Sequence, residues 1–558
     1  MLVERFEAYL GDPAAAGVTF SAERCARLDA AEEFPADIVQ MLNEWGLHHY
    51  YVPVRFGGKL ADFVTPAQLI RAVARRDLTV AIAHGKTFLG GVSAWVAQDD
   101  AAAHALAGKV LGGHAVSWGL TERDHGSDLL AGEVAVDAVT GGYRISGEKW
   151  LINNATRGRV VSVLARSDRA GGERGFDVFV VDKTELAPRS FRCLPKVRTE
   201  GIRGADISGI AFDQALLAPA ARLGKPGHGL ELVLKGLQLT RTLCSGLSLG
   251  AGDHALALAM SFAGRRSLYG RPLISLPRAR RVLLDAYADH ILNEVLALVG
   301  TRAIHTLPGE MSVLSAVVKY LLPARTDRMI AEIGRLLGVR SQLTGTGFDK
   351  LSRDHRIVGI FDGTSTVNLH AIIHSFPSIA RRGQAEVGDT FVLAAELPQF
   401  DPARLSLMAR HGCQVVRTLP RSVAELAALA GTQPDLAPVL ALAQRLLDRS
   451  NHLLGELADH QPVRIKASRR AFRLAEQFAL DVAGACALGV WLANHEDRAA
   501  FPLWRDASWL HAVLARLLSA PSTVDVDEAM LTEFTRQHDE GWSFGVTSPH
   551  RIAEGMGA

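Results

Sequence analysis

The feature that most narrows the fold is a change of hydrophobic period partway along the chain. From residue 115 to about residue 212, short apolar or alternating runs are separated by Gly, Asp and Asn. "VVSVLARSD" from Val160 and "FDVFVVD" from Phe176 to Asp182 read as strands, and "DAVTGGYRISG" reads as a hairpin turning at Gly141 and Gly142. Helical periodicity lies on both sides. Before the β-rich stretch, "FPADIVQMLNEWGL" sets Ile38, Met41, Leu42 and Trp45 on one helical face, with Gly46 as the stop. After it, residues 230–262, 281–305 and 311–337 form long apolar or amphipathic segments of the kind that build a bundle. A polar joint, "RRGQAEVGDT", follows, and the remainder is helical again, with Leu442, Leu446, Leu453 and Leu457 in one stripe. The expected fold class is α+β. It comprises an N-terminal helical domain (1–112), a central small β-barrel (113–222), a four-helix bundle (223–385) and an additional C-terminal helical domain (386–558).

Bulk properties exclude several other classes. A chain of 558 residues is too long for one compact core. With 48% hydrophobic and 22% charged residues it is not a disordered polyelectrolyte, and a net charge of +2 leaves no footprint for nucleic acid. Five cysteines form no CxxC pair, so neither a disulfide framework nor a zinc site is indicated, which fits a reducing compartment. "MLVERFEAYLGDP" lacks the apolar core of a signal peptide, and the apolar run at 482–493 is too short to cross a bilayer. A cytoplasmic location is expected.

Three stretches carry chemistry. In "WGLTERDHGSDL", Thr121, Gly126 and Ser127 follow a strand, where hydroxyls, amides and close backbone approach suit an anionic or carbonyl ligand; by itself the stretch also reads as a polar turn. In "ISGEKWLINNATRG", Trp150 beside Asn153 and Asn154 suits the wall of a flat ring system, or simply a strand with a core tryptophan. In "DHRIVGIFDGTSTVNLH", one acid, Asp362, stands between Ile360–Phe361 and a Gly-Thr-Ser turn, as a general base or as a turn or capping residue.

Together and in this order the pieces resemble the acyl-CoA dehydrogenase family. "TERDHGSD" resembles its TEPxxGSD, "GEKWLINN" its GxKxWITN, "RRSLYGRPL" its ERxxFGxpl and "KLSRDHRIVGIFDGTS" its KLxRDxxIxxIYEGTx. "FPADIVQMLNEWGLHHYYVPVRFGG" resembles its N-terminal segment. The resemblance spans roughly residues 20–380 and implies FAD as cofactor and an acyl-CoA or acyl carrier protein substrate. It also implies a homodimer or homotetramer. Trp118, Leu120 and Thr121 would lie by the isoalloxazine, and Gly126 and Ser127 near the phosphates or the pantetheine arm. Leu151 and Asn153 stand where the family has Trp and Thr. Arg266 matches an arginine that reaches a neighbouring subunit's FAD, Thr364 is placed to touch the cofactor, and Ser127 and Arg241 would meet the substrate. Asp362 matches the family's catalytic Glu, one methylene shorter, and Thr240 offers no acid at the alternative base position.

The activity so implied is dehydrogenation of an acyl thioester, with proton abstraction by Asp362 and hydride transfer to flavin. The alternatives are a flavin oxidase of acyl-CoA or nitroalkane type and a catalytically silent AidB-like flavoprotein. Arg335 and Val339 replace the Gln and second Gly of the segment that supports the FAD adenosine. The basic run "QPVRIKASRRAFR" is expected to be helical and solvated, or to meet an acidic carrier protein, membrane or nucleic acid.

Overall fold

The computed structural model describes residues 2–381, 383, 385–460 and 467–552. The expected N-terminal helix is present as α1 (Ala36–Trp45). It buries Ile38 and Leu42 and ends at Gly46, whose φ of 87° is the left-handed stop that glycine permits. α2 (Val64–Arg76) leads through Asp77 into α3 (Leu78–Val96). The Asp77 carboxylate accepts the Val80 N–H at 3.0 Å and caps α3. α3 is buried along nearly its whole length.

Eight strands follow: β1 (Val116–Gly119), β2 (Ala135–Val139), β3 (Gly142–Asn153), β4 (Val160–Arg166), β5 (Phe176–Asp182), β6 (Phe191–Leu194), β7 (Ile207–Leu217) and β8 (Arg222–Leu223). β2 and β3 form the expected hairpin, with Val139 opposite Gly142. The expected barrel is not formed. The sheet is open, running β6-β7-β3-β2-β4-β5-β8, with β1 paired to β4. Closure needs a ladder between the two end strands, and β6 and β8 do not pair. They have four and two residues, and edges this short limit unwanted strand addition. One face of the sheet covers its own small core, including Val136, Ile145, Val163, Phe179 and Phe212. The other packs on helices: the Ser162 hydroxyl donates to the Gly90 carbonyl of α3 at 2.6 Å.

The bundle begins with α4 (Gly229–Arg265), 37 residues and roughly 55 Å long. It continues with α5 (Pro277–Thr306) and α6 (Met311–Leu337), followed by α7 (Phe348–His355) and α8 (Ser365–His374), which packs along α6. α4 lies very close to α2. A Cβ at Gly250 would fall 2.5 Å from the Arg71 carbonyl oxygen, so only glycine allows the approach.

The C-terminal helices α9 (Ala437–Ala458), α10 (Arg469–Asn494), α11 (Ser508–Leu517) and α12 (Val524–Asp539) cover α5 and α8. Leu442, Leu446, Leu453 and Leu457 are the buried stripe of α9. Of the basic run, residues 461–466 lie outside the described residues, and Ser468 caps α10 just before Arg469. The apolar run 482–493 belongs to α10, which at 26 residues is long enough to cross a membrane, but its apolar window is 83% buried within the protein, as in a core helix.

A buried polar knot joins these parts. Arg71 of α2 is wholly inaccessible to solvent. It makes two hydrogen bonds to Asp253 of α4 (2.7 and 2.8 Å), one to Glu294 of α5 (3.1 Å) and one to the Phe544 carbonyl near the C-terminus (2.5 Å). Glu294 also accepts the N–H groups of Val546 and Thr547 at 2.8 and 3.1 Å. Burial works to raise the Asp253 carboxyl, but Arg71 and His290 outweigh it and hold the group far below the usual carboxylate range.

Arg71→Met would leave two acids buried without their cation. It is expected to cost about 3–5 kcal/mol of stability at pH 7, measured by urea unfolding. Because the folded carboxyl titrates below the unfolded one, the Asp253 contribution is present above about pH 4 and is lost as the pH falls further. The gap between wild type and variant should therefore narrow in acid.

Candidate active site

α3 is the element around which the candidate residues gather. The Asn153 side-chain N–H donates to the Ile82 carbonyl of α3 at 3.2 Å, and Asn154 donates to the Ala83 carbonyl at 2.8 Å. One turn further along, about 6 Å on, Lys86 points at Asp362: its ammonium lies 3.3 Å from both carboxylate oxygens and 3.5 Å from the centre of the Phe361 ring. The two side chains are only 12% and 10% exposed. The end of β3 and the segment before α8 are thus brought to neighbouring turns of one helix.

Asp362 sits in a strained turn. Its φ is 47° and that of Gly363 is 93°, two consecutive left-handed residues in a segment the sequence marks with Asp-Gly. Two cations hold this turn by its carbonyls. Arg241 of α4 donates to the Asp362 carbonyl at 3.0 Å. Lys319 of α6 donates to Val358 and Gly363 carbonyls at 2.7 and 3.2 Å. Burial pushes the Lys319 ammonium down to about 8, against the pull of Cys244 and Asp362. Burial also lowers Arg241. Cys244 donates its S–H to the Asp362 carboxylate at 3.6 Å, and burial together with that carboxylate pushes the thiol up to about 12, so it stays protonated. Lys86 and Cys244 line a small cavity of about 30 Å³ between α2, α3 and α4, whose other walls include Ile70, Ile82, Phe88, Leu243 and Leu247.

On the β side, the ladder between β3 and β7 slips between Trp150 and Ile152. Leu151 lies at this bulge with φ 56° and is 43% exposed; the bulge re-aims its side chain outward. Trp118 is buried, yet its indole N–H has no partner among the described residues, and neither has the buried Asn153 side-chain oxygen. Such atoms are completed by water or by a ligand, and an indole donor and an amide acceptor are groups that a polar ring system could use. The Thr121 hydroxyl donates to the Trp150 carbonyl at 2.7 Å. Leu120 follows β1, and Gly126 and Ser127 lie exposed in the following loop. That loop is anchored by Glu122, which pairs with buried Lys149 at 2.7 Å and accepts the N–H groups of Glu133 and Val134.

Thr364 and Arg266 are both helix-end residues. Thr364 uses its hydroxyl oxygen to accept the Val367 N–H and cap α8. Arg266 caps the far end of α4, 25 residues from Arg241 and so roughly 37 Å along the axis, exposed beside a two-residue-strand hairpin whose Tyr269 is 94% exposed. Sequence reasoning missed Lys86, Lys319 and Cys244. Lys86 is the one charged residue in "LTVAIAHGKTFLGGVSAWV", and Lys319 the first in "MSVLSAVVKYLL"; a lone charge in an apolar helix was the available signal.

Family models agree with this architecture. Residues 18–96 match the acyl-CoA dehydrogenase N-terminal domain, 117–215 the middle domain and 227–376 the C-terminal domain. Mitochondrial isovaleryl-CoA dehydrogenase of Oryza sativa is 23% identical over 351 residues, 62% of this chain and 85% of that relative. An acyl-CoA dehydrogenase of Bacillus subtilis is 23% identical over 349 residues, 61% of this chain and 89% of the relative. The structure of butyryl-CoA dehydrogenase from Megasphaera elsdenii superposes with a TM-score of 0.60 at 21% identity, covering 66% of this chain and 94% of the other. The family-model matches end at residue 376, before the C-terminal helices.

Gly363→Ala tests the turn. Its Cβ would lie 2.9 Å from an Arg241 guanidinium nitrogen, on a backbone that disfavours alanine. A loss of about 1–3 kcal/mol is expected by thermal or urea unfolding, with a fall in activity larger than that of an exposed control substitution.

Proposed function

The chain belongs to the acyl-CoA dehydrogenase family, and on that premise we propose that Asp362 is the base that removes the α-proton of its acyl-thioester substrate. The observation that carries this reading is the shared use of α3. Ile82 holds Asn153, on the side with unsatisfied ring-binding atoms, while Lys86 holds Asp362, beside the apolar cavity. A substrate acyl group brought up to Lys86 would meet a carboxylate within one helical turn of the flavin side.

The enzyme is an FAD-dependent oxidoreductase. Bound FAD supplies the acceptor for the β-hydride. Trp118, Leu120, Thr121, Leu151 and Asn153 would hold its ring, and Gly126 and Ser127 its phosphates or the substrate's pantetheine arm. Trp118 and Asn153 bring the unpaired donor and acceptor described above. The chain's own residues do the rest. Asp362 takes the proton once its carboxylate is free of Lys86. Arg241 and Lys319 hold the carbonyls of the turn, so the carboxylate stays aimed while charge moves. Their positive charge also favours the enolate oxygen that develops on the thioester. Isoleucine, phenylalanine and leucine side chains around the cavity exclude water from the proton transfer. Arg266 and the exposed Tyr269 hairpin would complete the FAD site of a neighbouring subunit, making the active form at least a homodimer.

Asp362→Asn keeps the shape of the side chain and removes the base. Anaerobic bleaching of the flavin by acyl-CoA is expected to slow about 10²- to 10⁴-fold, with flavin still bound as judged by its absorbance. Bleaching at the wild-type rate would remove Asp362 from the mechanism.

A further inference from the structure

The site holds more positive charge than its own residues balance. Lys86, Arg241 and Lys319 surround a single carboxylate, Asp362. The cysteine among them is neutral. Arg241 and Lys319 are accounted for by the carbonyls they bind. Among the described residues Lys86 binds no carbonyl: it lies against the Phe361 ring, and its one hydrogen-bond partner is Asp362. It therefore occupies the base: both carboxylate oxygens face the ammonium rather than a substrate C–H. The same ammonium lines the cavity, whose remaining walls are mostly apolar. A neutral acyl chain gives Lys86 no reason to leave Asp362. A cationic aminoacyl group would meet three like charges.

We infer that the substrate's acyl group carries its own carboxylate, which takes Lys86 from Asp362 and so frees the base. This deepens the reading that Asp362 acts on an acyl thioester and rests on it. The exchange is of partners only: one ion pair opens and another forms, with no covalent change. Lys86 is 3.3 Å from the base, so the carboxylate belongs a few bonds from the α-carbon. Lys86 is thus a specificity and positioning residue: it selects a dicarboxylic acyl group and leaves the base unpaired only when that group is present.

The test is calorimetric titration of the FAD-loaded protein with glutaryl-CoA and with its neutral monomethyl ester. Wild type is expected to bind glutaryl-CoA at least about tenfold more tightly than the ester, the scale of one charge-assisted hydrogen bond. Lys86→Met, which keeps the apolar stem, is expected to bring the two affinities within about twofold. Lys86→Arg is expected to keep most of the preference. Equal binding of the two ligands by wild type overturns the inference, as does a preference that survives in Lys86→Met. Should Lys86→Met not fold, the wild-type ratio decides alone. Anaerobic flavin bleaching is read in parallel. A tenfold binding preference without bleaching by either thioester keeps Lys86 as the carboxylate-binding residue and sinks the assignment of Asp362 as base; bleaching with equal binding does the reverse.

Discussion

The architecture depends on one guanidinium removed from water. Arg71 reaches from an N-terminal helix into the seam between the first two bundle helices, and the carboxylates it meets there come from both. Taking such a group out of water costs several kcal/mol, and the return comes only when every partner is in place. Asp253, Glu294, His290 and the Phe544 carbonyl are all in place. The spacing of α2 from α4 follows, because the glycines that let the two backbones touch also set where the arginine can point. The cavity beside Lys86 is bounded by α2, α3 and α4, so the seam also shapes the site.

The second organising fact is the crowding of cations at the turn of Asp362 and Gly363. A strained backbone persists only where its surroundings over-determine it. Here they do: each of two cations binds at least one carbonyl of residues 358–363, and a third takes the carboxylate. Strain and excess charge sit together at the residue where chemistry is placed, and a substrate with charge of its own would relieve the second while the first keeps the geometry.

Much of this was legible in the sequence, and the reason is locality. Helices of residues 229–374 show as long apolar periods, and strands such as Phe176–Asp182 as short ones, because each pattern is written in consecutive residues. The five motifs likewise carried the family, and the Asp-Gly pair marked the turn. What failed was non-local. Whether end strands meet depends on hydrogen bonds between β6 and β8, on which no periodicity bears, and the sheet stays open. Lys86 and Asp362 are 276 residues apart, and nothing local in either segment names the other. The outward set of Leu151 was likewise not legible, because it follows from a slip of the ladder at that residue, an event of pairing rather than composition. The capping of α8 by Thr364, by contrast, is local and was written in its position before "STVNLH".

The tail amides on Glu294 and the Phe544 carbonyl on Arg71 bear on how the protein is made. Arg71 leaves the ribosome 473 residues before the carbonyl that completes its shell. At ordinary translation speeds that interval is on the order of a minute. Until then the nascent N-terminal half carries an incompletely paired charge at the seam it will later seal. Its final burial therefore waits for residues made 473 positions later, which makes the chain dependent on holding that half soluble while the C-terminal helices are still being polymerised.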